Sequence, residues 1–329
     1  MEFKRDVIRI IAYMACFFLV IYLIQPVFIA KAVEANAYSP QVTYGGFYEQ
    51  PEKSMDVIFL GTSHCYNSFS PELLYKEYGI NSYNLGSSMQ STALSYYWLK
   101  EALRYQNPSI VVFEVYNMIP FGYSKPEDIL WNSREPQIRQ AVDYMKWSSV
   151  KLECVKELCR RDKTMNLDSF VFPIIRYHDR WEELGEEDYN LRYLDGLRIH
   201  KGYKLVTDQV GNVEYEALNM ENSATAEETD FLLITDYVDA IVKLCLENDI
   251  KLIFVRTPYV GASEAEYLQI SEYARQNNID YYDLNLKEIY TKIDYDISTD
   301  NFDTGHANFS GATKITSFIG EIISDFLTP

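Results

Sequence analysis

The sequence predicts a three-layer α/β sandwich, a mostly parallel sheet of five strands covered by helices on both faces and carried on an N-terminal transmembrane helix. Three observations lead there. Short apolar runs without a polar face alternate with amphipathic stretches of helical period. That alternation is interrupted once, over residues 120–225, and then resumes. An uncharged run of helical length stands near the N-terminus.

Taken in order, residues 10–30 ("IIAYMACFFLVIYLIQPVFIA") carry no charge. At helical rise they match the roughly 30 Å of bilayer hydrocarbon. Lys4, Arg5 and Arg9 precede the run, and after Lys31 no basic residue follows until Lys53. The positive-inside bias therefore places the N-terminus in the cytoplasm and the rest outside. A cleaved signal peptide is the rival reading, with small residues in "AKAVEANA" for a peptidase, although the run is long for that role. Residues 31–55, polar and holding Pro and Gly, read as a linker.

"DVIFL" (56–60) is the first strand, stopped by Gly61. "SPELLYKEY" follows as a helix, with Ser70 capping and Pro71 at the first position. "INSYNL" (80–85) is the second strand, residues 92–106 a helix, and "PSIVVFEV" (108–115) the third strand. The interruption holds two possible helices, at 135–147 and 148–161, and a Tyr-rich tail. Residues 227–248 form a helix with Phe231, Ile234, Val238, Ile241, Val242 and Cys245 on one face. Strand four is "KLIFVRT" (251–257), then a helix at 263–277, strand five at 280–284, and a closing helix at 310–327.

The whole is 329 residues, 47% hydrophobic and 24% charged, enough for one sizeable core. A net charge of −18 argues against a nucleic-acid partner. The 28 tyrosines suit half-buried positions. Five scattered cysteines show neither a metal-binding spacing nor a disulfide framework, so no metal, cofactor or bridge is expected.

In a parallel sheet, ligands gather at the carboxyl ends of the strands. Ser63 follows the first strand, Gly86 the second, Asn117 the third, and Arg256 the fourth. Asp303 and His306, in "NFDTGHANFSGA", follow the fifth after a loop. A serine is a weak nucleophile until a base takes its proton. A histidine can do this, and an aspartate on the other ring nitrogen fixes the tautomer. The oxyanion that develops needs donors, which Ser63 N–H, Gly86 N–H and the Asn117 amide would supply.

These blocks resemble the SGNH (GDSL-type) hydrolase superfamily. Gly61-Thr62-Ser63 matches its first block, Gly86 in "NLGSS" its second, and Asp303, His306 and Gly311 its last. The likeness covers residues 55–118 and 227–329. Thr62 stands where that family has aspartate, and "FEVYNM" replaces its Gly-x-Asn-Asp block. The resemblance implies a flavodoxin-like sheet and acyl chemistry through Ser63, His306 and Asp303. The anchor plus outward domain is also similar to teichoic-acid D-alanine transfer proteins and to SGNH proteins that serve membrane-bound O-acyltransferases. It implies an acyl carrier or such an acyltransferase as partner and a cell-surface glycopolymer as acceptor. The alternative is a non-catalytic module that binds the polymer or the membrane partner.

Three further expectations concern the surroundings. In "RYHDRWEEL" (176–184), His178, Arg180 and Trp181 would suit a sugar or polyanion from a lid over the site, or sit on a solvated helix. Arg256 would bind a phosphate or carboxylate, or pair with an acidic residue. His64, adjacent to Ser63, is read as structural or as a substrate contact, and His200 as a surface residue.

Overall fold

A computed structural model of the chain describes residues 2–29, 39–119, 135–190, 195–220 and 233–327. Five strands, β1 (Val57–Leu60), β2 (Ser82–Asn84), β3 (Ile110–Glu114), β4 (Lys251–Arg256) and β5 (Asp280–Asp283), form one sheet in the order β2-β1-β3-β4-β5. Every pair is parallel, with Val57 opposite Ser82 and Ile110, Ile110 opposite Lys251, and Ile253 opposite Asp280. This is the doubly wound order of a flavodoxin-like fold, with its switch point between β1 and β3.

Period-two alternation divides the core. Ile58, Leu60, Val111, Phe113, Leu252 and Phe254 face one layer. Val57, Phe59, Ile110, Val112, Ile253 and Val255 face the other. The helices, in chain order, are α1 (Glu2–Phe28), α2 (Ser63–Ser68), α3 (Pro71–Tyr78), α4 (Thr92–Ala102), α5 (Glu135–Asp143), α6 (Ser149–Arg161), α7 (Leu167–Val171), α8 (Ile174–Tyr177), α9 (Glu186–Tyr189), α10 (Asp236–Glu247), α11 (Glu264–Gln276), α12 (Lys287–Lys292), α13 (Ile297–Asp300) and α14 (Phe309–Leu327). Helices α4, α6 and α10 pack on the first face, α3 and α14 on the second.

The caps follow the sequence signals. Ser70 accepts from the Leu73 N–H ahead of Pro71, and Ser263 with Glu266 forms a capping box on α11. Val238, Ile241, Val242 and Cys245 are buried on α10 as expected. That helix starts at Asp236, later than expected. Ile234 is buried ahead of it, and residues 227–232, including Phe231, lie outside the described residues. The first 15 residues of the interruption, 120–134, also lie outside them.

Two expectations change. Residues 31–38 lie outside the described residues, but the rest of the expected linker belongs to the domain. A short π-helix, Gln41–Gly45, buries Tyr44, and Phe47 is buried just beyond it; Tyr44 stacks on Trp98 with ring centroids 4.1 Å apart, and its hydroxyl donates to Gln90 Oε1. Aromatic area outweighs the polar composition of this stretch. The interruption, in turn, is largely fused to the core: Ile138, Ala141, Val142, Val155 and Leu158 of α5 and α6 extend the first apolar layer. Its tail, residues 201–218, runs across the sheet's carboxyl edge. Asn84 N–H donates to the Lys201 carbonyl, Phe309 N–H to Val206, and Leu218 N–H to Asn285.

Helix α1 is long and apolar enough to cross a membrane, with a mean hydropathy of 2.5 over its apolar window and none of that window buried. It has the composition of a membrane anchor or a signal sequence.

Candidate active site

Gly61 ends β1 with φ of +150°, and a Cβ there would stand 2.7 Å from the Glu114 Cβ. Only glycine tolerates both that backbone and that contact. The chain turns at once into α2, whose first residue is Ser63. Thr62 caps this helix by accepting from the His64 N–H at 3.1 Å. The Thr62 hydroxyl donates to Glu114 Oε2 at 2.8 Å, and Glu114 Oε1 accepts from Tyr116 N–H. A buried carboxyl at the end of β3 thus holds the turn that presents the serine. Burial pushes Glu114 up to about 7, against hydrogen bonds from Thr62 and Tyr116 that favour its charge.

From the other side, the loop between α13 and α14 presents Asp303 and His306. An isolated bridge between Asn301 and Ala307 closes the loop, and Phe302 N–H donates to the His306 carbonyl. The tail of the interruption braces it through Val210 N–H to Asn301 and Asn308 Nδ2 to Asp208. The result joins the three side chains. The Ser63 hydroxyl stands 2.7 Å from His306 Nε2, and His306 Nδ1 lies 2.9 Å from Asp303 Oδ2. Asp303 Oδ1 also accepts from the Gly305 and His306 amides at 2.7 and 2.8 Å. Partial burial works against the charge of Asp303, but these bonds outweigh it and hold the carboxyl at about 2. The carboxylate stays ionised near neutrality, fixes Nδ1 as the protonated nitrogen, and leaves Nε2 free to accept the serine proton.

The expected oxyanion donors fare unequally. Ser63 N–H, at the first turn of α2, has no acceptor among the described residues. The expectation for Gly86 is corrected: its one N–H donates to Asn84 Oδ1 at 3.0 Å. Gly86 instead allows close approach, since a Cβ there would stand 3.0 Å from the Thr62 carbonyl. Asn117 is buried and gives one N–H hydrogen to the Gln90 carbonyl, which leaves the second.

Arg256 is corrected more fully. It has no exposed surface, and it donates to Asp283 at 2.6 Å and to Glu266 at 2.8 Å. Both charges it meets are protein carboxylates, so the guanidinium is not presented to a ligand. The segment expected as a lid is also elsewhere. Arg180 pairs with Asp188 and donates to the Phe28 carbonyl, while His178 bonds its neighbour Asp179. Trp181 stands exposed beside α1. These three residues are not brought to Ser63.

His64 is wedged among residues the sequence reading did not assemble. Its ring stacks on Tyr116 with centroids 3.9 Å apart, meets Tyr259 edge-on and lies 4.8 Å from the His306 ring. Burial, and then the neighbouring His306, hold it well below the usual histidine range, so it is neutral. Its Nδ1 lies 3.2 Å from the Thr257 hydroxyl, which is almost wholly buried. On the outer side, Phe302 stacks on His306, and Lys204 lies over the Phe302 ring. Among the described residues no cluster of three or more His, Cys, Asp or Glu could hold a metal ion.

No family model matches the chain, and no curated protein matches it. Among solved structures it is similar to one described as a lipolytic protein of the G-D-S-L family from Desulfitobacterium hafniense. That match has 12% identity, covers 81% of this chain and 98% of the other, and has a TM-score of 0.38. It is also similar to an acylhydrolase from Bacteroides fragilis, at 12% identity, 87% and 96% coverage, and a TM-score of 0.40. A GDSL-like lipase from Bacteroides thetaiotaomicron matches at 12% identity, 87% and 98% coverage, and a TM-score of 0.39.

Proposed function

We propose that this protein is a membrane-anchored serine esterase or acyltransferase that works through an acyl-enzyme on Ser63. The carrying observation is the Ser63–His306–Asp303 relay, at 2.7 and 2.9 Å, on the carboxyl edge of the sheet. His306 Nε2 takes the serine proton as Oγ attacks an acyl carbonyl, then returns it to the departing oxygen or sulfur. Asp303 supports the imidazolium formed between these steps. Ser63 N–H faces the developing oxyanion, with the second Asn117 hydrogen as the further donor in reach of the same loop system. In the second half, His306 deprotonates an acceptor hydroxyl, which attacks the acyl-serine and regenerates the enzyme. Water as acceptor makes an esterase, and a polymer hydroxyl makes a transferase.

The transferase version follows from placement. An anchored domain outside the cytoplasmic membrane meets cell-envelope glycopolymers, and a membrane-bound acyltransferase or acyl carrier would supply the acyl group. The test is to incubate the full chain in detergent with p-nitrophenyl acetate, quench in acid and map the acetyl group. The expected result is acetyl-Ser63 that turns over in water and clears faster when a polyhydroxylated glycopolymer is added. Steady release of nitrophenol with no acyl-serine would overturn the reading. A second reading, a non-catalytic binding module, draws on one observation, the commitment of Gly86 N–H to Asn84. It requires that Ser63 form no acyl adduct.

A further inference from the structure

Residues 172–180 run beside the second half of α1, in the same direction. The Phe172 ring lies 6.0 Å from that of Phe18, and Arg180 Nη1 donates to the Phe28 carbonyl at 2.6 Å. Helices α8 and α9, and the 3-10 turn His178–Glu182 between them, all pack on α1. From Phe18 to Phe28 the helix rises about 15 Å, roughly half the thickness of bilayer hydrocarbon. When Phe28 marks the hydrocarbon boundary, a ring that touches Phe18 is inside the leaflet.

The outward side of this stretch suits that depth. Leu167, Ile175, Trp181 and Tyr189 are 38%, 51%, 66% and 65% exposed. Single exposed apolar residues carry no message, but Ile175, Trp181 and Tyr189 sit on elements that pack directly on the bare apolar surface of α1. Trp181 follows the Arg180 contact that marks the headgroup level, where tryptophan and tyrosine collect. Asp168 and Arg176 are exposed on the same stretch, and Asp179, Glu182, Glu183, Glu186 and Glu187 beyond them, so the stretch does not span and its acidic end lies at the water side.

We propose that residues 167–189 form a second, monotopic membrane contact whose occupant is lipid, acyl chains against Phe172 and Ile175 and headgroups against Arg176 and Trp181. The inference rests on reading α1 as an uncleaved anchor, and it is independent of the chemistry at Ser63. It gives the domain two attachments to one leaflet, which fixes its height and tilt above the bilayer.

The test uses the full chain in lipid nanodiscs, with tryptophan emission quenched by brominated acyl chains or by aqueous iodide. The difference between wild type and Trp181→Phe isolates Trp181. The expected result is that brominated lipid at least halves this component while iodide leaves it unchanged. Trp147, exposed elsewhere on the domain, shows the reverse. Ile175→Trp in the Trp181→Phe background gives a second reporter, expected to respond to bromine as well. Quenching of both reporters by iodide and not by bromine overturns the proposal. Shielding in native membranes that is absent in nanodiscs also overturns it, in favour of a protein partner. A mature chain beginning beyond residue 30, read by mass spectrometry, removes the anchor reading and this proposal with it. Loss of lipid quenching in an intact chain removes this proposal alone.

Discussion

Two polar clusters lie at the carboxyl edge of the same sheet; the sequence offered a catalytic reading for one and, for Arg256 in the other, either a ligand or an ion pair. In the first, Ser63, His306 and Asp303 are linked in series, and the His306 and Asp303 side chains keep 26% and 46% of their surface open. In the second, Arg256 and Asp283 have no exposed surface and Glu266 keeps 11%. Tyr259 also donates to Glu266, and the Asn285 amides donate to Asp283. One cluster leaves a serine hydroxyl and an imidazole facing solvent, while the other spends its charges on itself. A buried charge is stable only when paired, and a fully paired charge has nothing left for a ligand. Exposure therefore separates groups open to a ligand from groups committed to the fold where residue type does not.

The largest effect expected from breaking this contrast is at the open cluster. Ser63→Ala lowers ester hydrolysis by about 10⁴-fold or more and leaves the thermal unfolding midpoint unchanged. Activity near the wild-type level would contradict the assignment. At the closed cluster the signs reverse. Arg256→Ala strands Asp283 and costs about 3–5 kcal/mol of stability, as read by urea unfolding, with the rate per folded molecule retained. A stable variant with a raised KM would make Arg256 a substrate residue after all.

Glu114 lies between the two behaviours, buried yet tied to the nucleophile's turn. Its carboxyl titrates near 7 in the folded protein and near the ordinary 4.5 when unfolded. The folded state then binds the extra proton between these values, so stability falls as pH rises from about 4.5 to 7. Glu114→Gln abolishes that slope, a change of about 3 kcal/mol between pH 4 and pH 8. An unchanged slope would show that Glu114 does not titrate there. The smallest effect is at Thr62→Ala, which removes the cap of α2 and costs about 1 kcal/mol; Thr62→Ser restores it. Equal stability of Ala and Ser variants would mean that the cap does not hold the turn.

Much of this was legible in the residues. Continuous apolar runs located β1, β3 and β4, because strands buried on both faces have no polar side to blur them, whereas β2 ("SYN") and β5 ("DYYD") are mixed and were placed by the alternation of strands and helices. Ser63, Asp303 and His306 stood out by their places after strands one and five. What could not be read were the long-range partners. Nothing local tells that Asp283 and Glu266 wait for Arg256, or that Glu114 reaches back to Thr62. The Asn84 side chain that occupies Gly86 N–H lies only two residues away, yet its orientation depends on the packed turn. Tyr44 and Phe47 were hidden in a polar stretch, and their places against Trp98 of α4, Tyr83 of β2 and Tyr105 are set by distant parts of the chain. The position of "RYHDRWEEL" beside α1 had no signal except its exposed tryptophan.

Everything proposed for the open cluster rests on activation of the Ser63 hydroxyl by His306. Fluorophosphonate labelling of the full chain, followed by intact-mass analysis and peptide mapping, addresses it directly. The expected result is one adduct, on Ser63, absent from Ser63→Ala and slowed by orders of magnitude in His306→Ala. A folded protein that takes up no label, or one labelled at Ser63 equally fast without His306, would contradict it.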